Sequence, residues 1–334
     1  MTTENVLTVE NLETHLGSRE GVIKAVNGSS FTVDKGETLC IVGESGSGKT
    51  MTALSIMGLV PSPPLEAISG KVILDGEDML QLSDGQIRER RSTKMGMIFQ
   101  DPENSLNPTV KIGPQIAETM QVHLGVDEKT ARGRAVRIMD RVGIPTAATR
   151  YYDYPFQFSG GMRQRVMIAI ALCCDPLLLI ADEPTTALDV SVQAQLLDLV
   201  RELQAERGMS VIWITHDLGV VAELADRVAV MYAGYIVEEA PVEDIFFRPK
   251  HRYTAALLES LPAVEKKGGT LTAIIGMPPS LANLAPGCPF ADRCAAPVDR
   301  CREENPPLMD MDENHISACW NPPTEAETAA RAKA

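Results

Sequence analysis

The chain has 334 residues, 44% hydrophobic and 23% charged, enough to bury a sizeable core in one large domain or two smaller ones. Its 31 Lys and Arg against 45 Asp and Glu leave a net charge of -14, which repels phosphate backbones and anionic lipid and argues against nucleic acid as a partner. The opening MTTENVLTVE lacks the basic and apolar regions of a secretory signal, and the longest apolar run, VMIAIALCC at 166–174, falls far short of the ~20 residues that cross a bilayer. The expectation is a cytoplasmic protein that meets any membrane through a partner subunit.

In chain order, residues 7–12 and 31–33 read as strands and KVILDGED at 71–78 as a hairpin, together an antiparallel flank. The runs at 39–42, 177–181, 211–215 and 228–232 are short, Leu-rich or β-branched and bounded by turn or charged residues, as strands buried on both faces are. They predict a parallel sheet. Helical spacing of apolar residues at 49–59, 129–142 and 191–205 supplies the helices of an α/β fold, and a mainly helical insert is expected over about 100–170. From residue 241 the prolines cluster, at 262, 278–279, 286, 306–307 and 322–323, marking an irregular extension over 241–334 behind a first domain of 1–240.

GESGSGKT at 43–50 follows the strand run LCIV and precedes a helical stretch, the strand–loop–helix setting that G-x-x-x-x-G-K-[ST] requires. Gly43, Glu44, Ser45, Gly46, Ser47 and Gly48 would curl N–H groups around phosphate oxygens at the positive end of a helix. Lys49 would reach the β- and γ-phosphates and the Thr50 hydroxyl would ligate Mg²⁺. LLLIADEP at 177–184 ends a strand on two carboxylates, Asp182 suited to Mg²⁺ and Glu183 to the base that polarises a water. Two adjacent acids at a buried strand end are costly without a cation opposite.

FSGGMRQR at 158–165 then opens a helix, and here the chain resembles the ATP-binding cassette ATPases. The resemblance implies that Ser159, Gly160 and Gly161 are the signature that contacts the γ-phosphate held by a second cassette, with Phe158 and Met162 departing from the family's usual Leu and Gln. It implies that Gln100 senses Mg²⁺ and the attacking water, that Asp189 crosses the dimer and that His216 is the switch histidine. The family stacks an aromatic on the adenine, but ETHLGSREG at 13–21 offers only His15 and Leu16.

QDPENSLNP at 100–108, YPFQFSGGMRQRVMIAIAL at 154–172, ADEPTTALDV at 181–190, ITHDLGVVAE at 214–223 and HRYTAALLESLP at 251–262 resemble the ATPase subunits of bacterial dipeptide and oligopeptide importers. That implies an ATP- and Mg²⁺-dependent ATPase, peripheral on the cytoplasmic face of the inner membrane. It implies as partners a second ATPase subunit, identical or paralogous, two membrane-spanning permease subunits and, indirectly, an extracytoplasmic solute-binding protein. The alternatives are an importer of nickel or another small solute, and a soluble cassette remodelling nucleic-acid or ribosomal complexes. The last lacks the expected coiled-coil insertion, second cassette or basic surface.

Four of the seven cysteines, Cys288, Cys294, Cys301 and Cys319, fall in the extension. A reducing compartment disfavours disulfides, which leaves a metal centre or unconnected packed thiols. Gaps of five, six and seventeen residues are wider than the C-x₂₋₄-C pairs of zinc sites and suit a [4Fe–4S] cluster, with zinc second.

Overall fold

β3 (Thr38–Val42), β7 (Leu178–Asp182), β8 (Ser210–Thr215) and β9 (Arg227–Tyr232) are almost wholly buried, and their side chains alternate between two cores. Leu39, Ile41, Leu178, Ile180, Ile212, Ile214, Ala229 and Met231 face one; Cys40, Val42, Leu179, Ala181, Val211, Trp213, Val228 and Val230 face the other. A strand with apolar residues on both faces can only sit between two covering layers, which is why the runs lack the polar alternation of a surface sheet. The structure is a computed structural model that describes residues 4–100, 105–185, 190–260 and 274–332.

β6 (Met95–Ile98) pairs parallel with β7, β7 with β8, β8 with β3 and β3 with β9. One covering layer is an antiparallel sheet ordered β2-β1-β4-β5, built from β1 (Asn5–Ser18), β2 (Gly21–Asp34), β4 (Leu65–Leu74) and β5 (Glu77–Asp78). The expected hairpin at 71–78 is present as Ile73 opposite Asp78 and Leu74 opposite Glu77. β1 and β2 are longer than the sequence predicts, because register shifts between Val9, Leu12 and Thr14 break the alternation that marks a strand. The other core takes in the expected insert, including the helices Ile112–Leu124, Glu128–Arg141 and Gly160–Leu172, whose Ile116, Met120, Ala135, Met139, Ile168 and Leu172 are buried.

The domain boundary expected at residue 240 falls inside β10 (Tyr235–Pro241), which pairs antiparallel with β9. Among its described residues the extension opens on the helices Val242–Phe247 and Arg252–Glu259, has no helix or strand over 274–290, and adds β11 (Met309–Asp312) and β12 (His315–Ser317) to the same sheet, β12 beside β10. Glu238 of β10, with no solvent exposure, accepts the N–H groups of Lys250 at 2.5 Å and His251 at 2.9 Å, and the Nε2–H of His315 at 2.7 Å. A buried carboxylate is tolerated when its oxygens are so paired, and these bonds seat the extension on the cassette. Cys40, Cys173 and Cys174 are packed as small apolar residues in the insert-side core. Among the described residues no helix is long and apolar enough to cross a membrane.

Candidate active site

The loop after β3 leads into the helix Lys49–Ile56. Gly48, its N-cap, has φ 108°, and a Cβ there would stand 2.5 Å from the carbonyl of Ala25, so no other residue fits. Lys49 is buried, its Nζ donating to the carbonyls of Gly43 at 2.8 Å and Glu44 at 2.9 Å. Burial lowers its pKa, while Glu183, Asp182 and Glu44 favour the charged form. A cavity of about 320 Å³ opens beside this loop. It is lined by Ser45, Gly46, Gly48, Lys49, Thr50, Gln100 and Glu183 and by the apolar Leu16, Ile23, Ala25, Met51 and Leu281.

Asp182 and Glu183 stand at the C-terminal end of β7, where parallel sheets place their ligands. The Thr50 hydroxyl donates to Asp182 Oδ1 at 3.2 Å. Asp182 is 2% exposed, so burial raises its pKa, opposed first by the Thr50 hydrogen bond. Its oxygens and the Thr50 hydroxyl are hard donors of the kind that hold Mg²⁺. Glu183 accepts from Gln100 Nε2 at 3.2 Å and lies 3.3 Å from His216 Nδ1. Its φ of 46° is a left-handed conformation that costs a non-glycine residue about 1–3 kcal/mol. A bond from its N–H to the carbonyl of Ile214, at 2.9 Å, keeps it there. Gln164, 1% exposed on the helix Gly160–Leu172, donates its Nε2 to the carbonyl of Pro184 and ties that helix to the carboxylate loop. Sequence reasoning gave Gln164 no part.

Thus Lys49, Thr50, Gln100, Asp182, Glu183 and His216 converge, while Gly43, Glu44 and Ser47 shape the loop without lining the cavity. Ser159 caps the helix Gly160–Leu172, its Oγ accepting from Met162 N at 3.4 Å. Ser159 and Gly160 are exposed, Gly161 is half-buried, and none of the three lines the cavity. Asp189 lies outside the described residues. Of His15 and Leu16, only Leu16 lines the cavity; Ile23, Ala25 and Leu281 were not foreseen.

Cys288, Cys294, Cys301 and Cys319 line a second, narrow cavity of about 10 Å³ with Phe290, Trp320 and His251. Cys301 and Cys319 are buried, and the N–H of Cys288 donates to the carbonyl of Cys301 at 2.7 Å. The Cys288 thiol is pushed up to about 11, by burial first and then by the other three cysteines. Burial likewise raises the thiols of Cys294 and Cys319, and a cation beside such thiols would favour their thiolate forms. As they stand, no three His, Cys, Asp or Glu side chains among the described residues are grouped to hold a single metal ion.

The family description "ABC transporter" matches residues 26–186, and "Oligopeptide/dipeptide transporter, C-terminal region" matches 237–301. The chain is 47% identical over 326 residues to the dipeptide transport ATP-binding protein DppD of Bacillus subtilis (strain 168), covering 98% of this chain and 97% of that protein. It is 47% identical to the oligopeptide transport ATP-binding protein OppD of the same organism, over 98% of this chain and 93% of that one. Among solved structures, the ATP-binding cassette MJ0796, a post-hydrolysis dimer with ADP and Pi, superimposes with a TM-score of 0.65 at 26% identity, over 71% of this chain and 98% of that chain.

Proposed function

The chain belongs to the ABC transporter ATPases, in the branch that carries the oligopeptide/dipeptide transporter C-terminal region, and from that premise we propose that it is the ATP-hydrolysing subunit of a bacterial di- or oligopeptide importer. The observation that carries the reading is one cavity lined by Lys49, Thr50, Gln100 and Glu183, with Asp182 paired to Thr50 and His216 beside Glu183. The full-length likeness to DppD and OppD favours peptides over nickel. The net charge of -14 opposes the nucleic-acid alternative.

In this reading Lys49 and the loop bind the phosphates, and Thr50, Asp182 and Gln100 would hold Mg²⁺, which when bound would supply positive charge to the phosphates. Glu183 orients and deprotonates the attacking water, with Gln100 and His216 fixing its carboxylate. Ser159, Gly160 and Gly161 complete the site of a second cassette, where a hydroxyl and small residues at the N-terminus of a 13-residue helix receive a phosphate. Two such cassettes close over ATP and move two permease subunits; hydrolysis resets them. Tagged chain drawn from detergent-solubilised membranes should bring a second cassette and the permease subunits with it. Recovery of the chain alone, all in the soluble fraction, would contradict this.

At the base end, the apolar walls Leu16, Ile23 and Leu281 take the place of an aromatic stack. Leu281→Ala should weaken ATP and ADP binding by roughly 3- to 10-fold, the worth of a partly lost apolar side chain, and leave inhibition by inorganic triphosphate unchanged. Equal losses for both ligands would place Leu281 elsewhere.

The four cysteines, with Phe290 and Trp320 as an apolar shield, fit a [4Fe–4S] cluster by donor chemistry. The wide spacing favours it over one zinc ion, and its contribution would be a cross-link for loops with little core of their own. Anaerobically purified protein should be brown, with broad absorbance near ~400 nm and iron and sulfide in cluster ratio, all lost in Cys301→Ser. Colourless protein with one zinc per chain would decide against it.

A further inference from the structure

Arg293 belongs to the extension, one residue before Cys294, yet its side chain is only 5% exposed and ends against the phosphate loop. A guanidinium carries five N–H donors, and each one here meets an acceptor. Nη1 donates to Glu44 Oε2 at 2.5 Å and to the Tyr232 hydroxyl at 3.1 Å. Nη2 donates to Glu44 Oε1 at 2.9 Å and to the Ile274 carbonyl at 3.4 Å. Nε donates to the Ile275 carbonyl at 3.3 Å. The plane also lies over the rings of Tyr232, at 5.8 Å, and Phe290, at 6.0 Å. A long side chain used so completely has lost its rotamer freedom, and its two-pronged grip fixes the carboxylate of Glu44 in direction as well as distance.

Glu44 is the second residue of GESGSGKT, and its backbone is held as tightly as its side chain. Its N–H donates to the Tyr253 hydroxyl at 2.9 Å, and its carbonyl receives Lys49 Nζ at 2.9 Å and the N–H of Ser47 at 3.2 Å. Tyr253 packs on Tyr232 and Phe290, with ring centres 4.5 and 5.3 Å away, so the backbone and side-chain anchors of Glu44 share one aromatic cluster.

We infer that Arg293 is a positioning residue of the nucleotide site: from the extension it holds Glu44, and through Glu44 it keeps the loop 43–50 and the Lys49 ammonium in their phosphate-binding shape. This deepens the nucleotide-site reading above and rests on it. The extension then contributes to ATP binding directly, and the turn that carries Arg293 ends on Cys294 at the rim of the cysteine-lined cavity.

The test is equilibrium titration with a fluorescent ATP analogue, together with KM and kcat for ATP in the assembled transporter. Arg293→Ala should raise Kd and KM about tenfold, the scale of one lost charge-assisted hydrogen bond, with kcat at saturating ATP within about twofold. Arg293→Lys should recover part of the affinity, because it restores charge without the fork. Glu44→Ala should reproduce the loss, and the double variant should bind no worse than the weaker single variant, since both remove the same strut. Parental affinity in Arg293→Ala, or penalties that add in the double variant, would overturn the inference. If Arg293→Ala does not fold, Glu44→Ala decides by the same titration, parental affinity there being the contrary result. A parent chain that binds no nucleotide would instead sink the nucleotide-site reading, and the inference with it.

Discussion

Glu183→Gln is expected to slow ATP hydrolysis by about 10²- to 10⁴-fold, the usual worth of a general base, while ATP affinity stays within about twofold. The amide keeps the size of the side chain and an oxygen to accept from Gln100 Nε2, so the shape of the site is retained while basicity and the negative charge facing Lys49 and His216 are lost. Glutamine also tolerates the φ of 46° no worse than glutamate, so the backbone has no new reason to move. With closure intact and turnover blocked, the ATP-bound dimer should accumulate. Single-turnover hydrolysis and size-exclusion chromatography of the assembled complex check both parts. Hydrolysis at the parental rate would remove Glu183 from the role of base.

Lys49→Ala should act on the other step. Its ammonium is buried between two carbonyls of the loop and faced by Glu183, Asp182 and Glu44, which hold it charged against the cost of burial. Removing it deletes the cation that meets the phosphates and frees the carbonyls of Gly43 and Glu44, so nucleotide affinity should fall roughly 10²-fold, since hydrogen bonds to charged partners are worth about 1.5–3 kcal/mol each. The expected pattern is a raised Kd in direct titration, where Glu183→Gln leaves Kd alone and lowers kcat. Unchanged affinity in Lys49→Ala would contradict the assignment of the loop.

The two assignments were readable in the sequence for the same reason that the central strands were. β3, β7 and β8 each end on residues of the candidate site, so a buried apolar run followed by GESGSGKT, by Asp182-Glu183 or by His216 marks both the strand and the end that borders that site. What the sequence concealed depends on contacts between distant positions. Arg293 and Glu44 are 249 residues apart, and nothing local to either announces the pair. Leu281 lines the cavity, and its carbonyl accepts the N–H of Lys24 of β2 at 3.1 Å, a hydrogen bond between the extension and that strand. β12 is three residues long, too short for any periodicity, and is a strand because β10 and β11 pair with it on either side and Glu238 is a partner for His315. The apolar lining of the cavity followed the same course: ETHLGSREG offers only His15 and Leu16 nearby, but the walls come also from β2 and from the extension.

Uptake of a labelled dipeptide and a labelled oligopeptide, measured in cells whose own copy of this chain has been deleted and replaced by the parent or by Glu183→Gln, tests the central claim most directly. The parent chain should restore ATP-dependent accumulation of at least one of the two peptides, and Glu183→Gln, expressed to the same level, should restore neither. Restoration by both chains alike, or parental restoration of nickel uptake with no effect on either peptide, would contradict it.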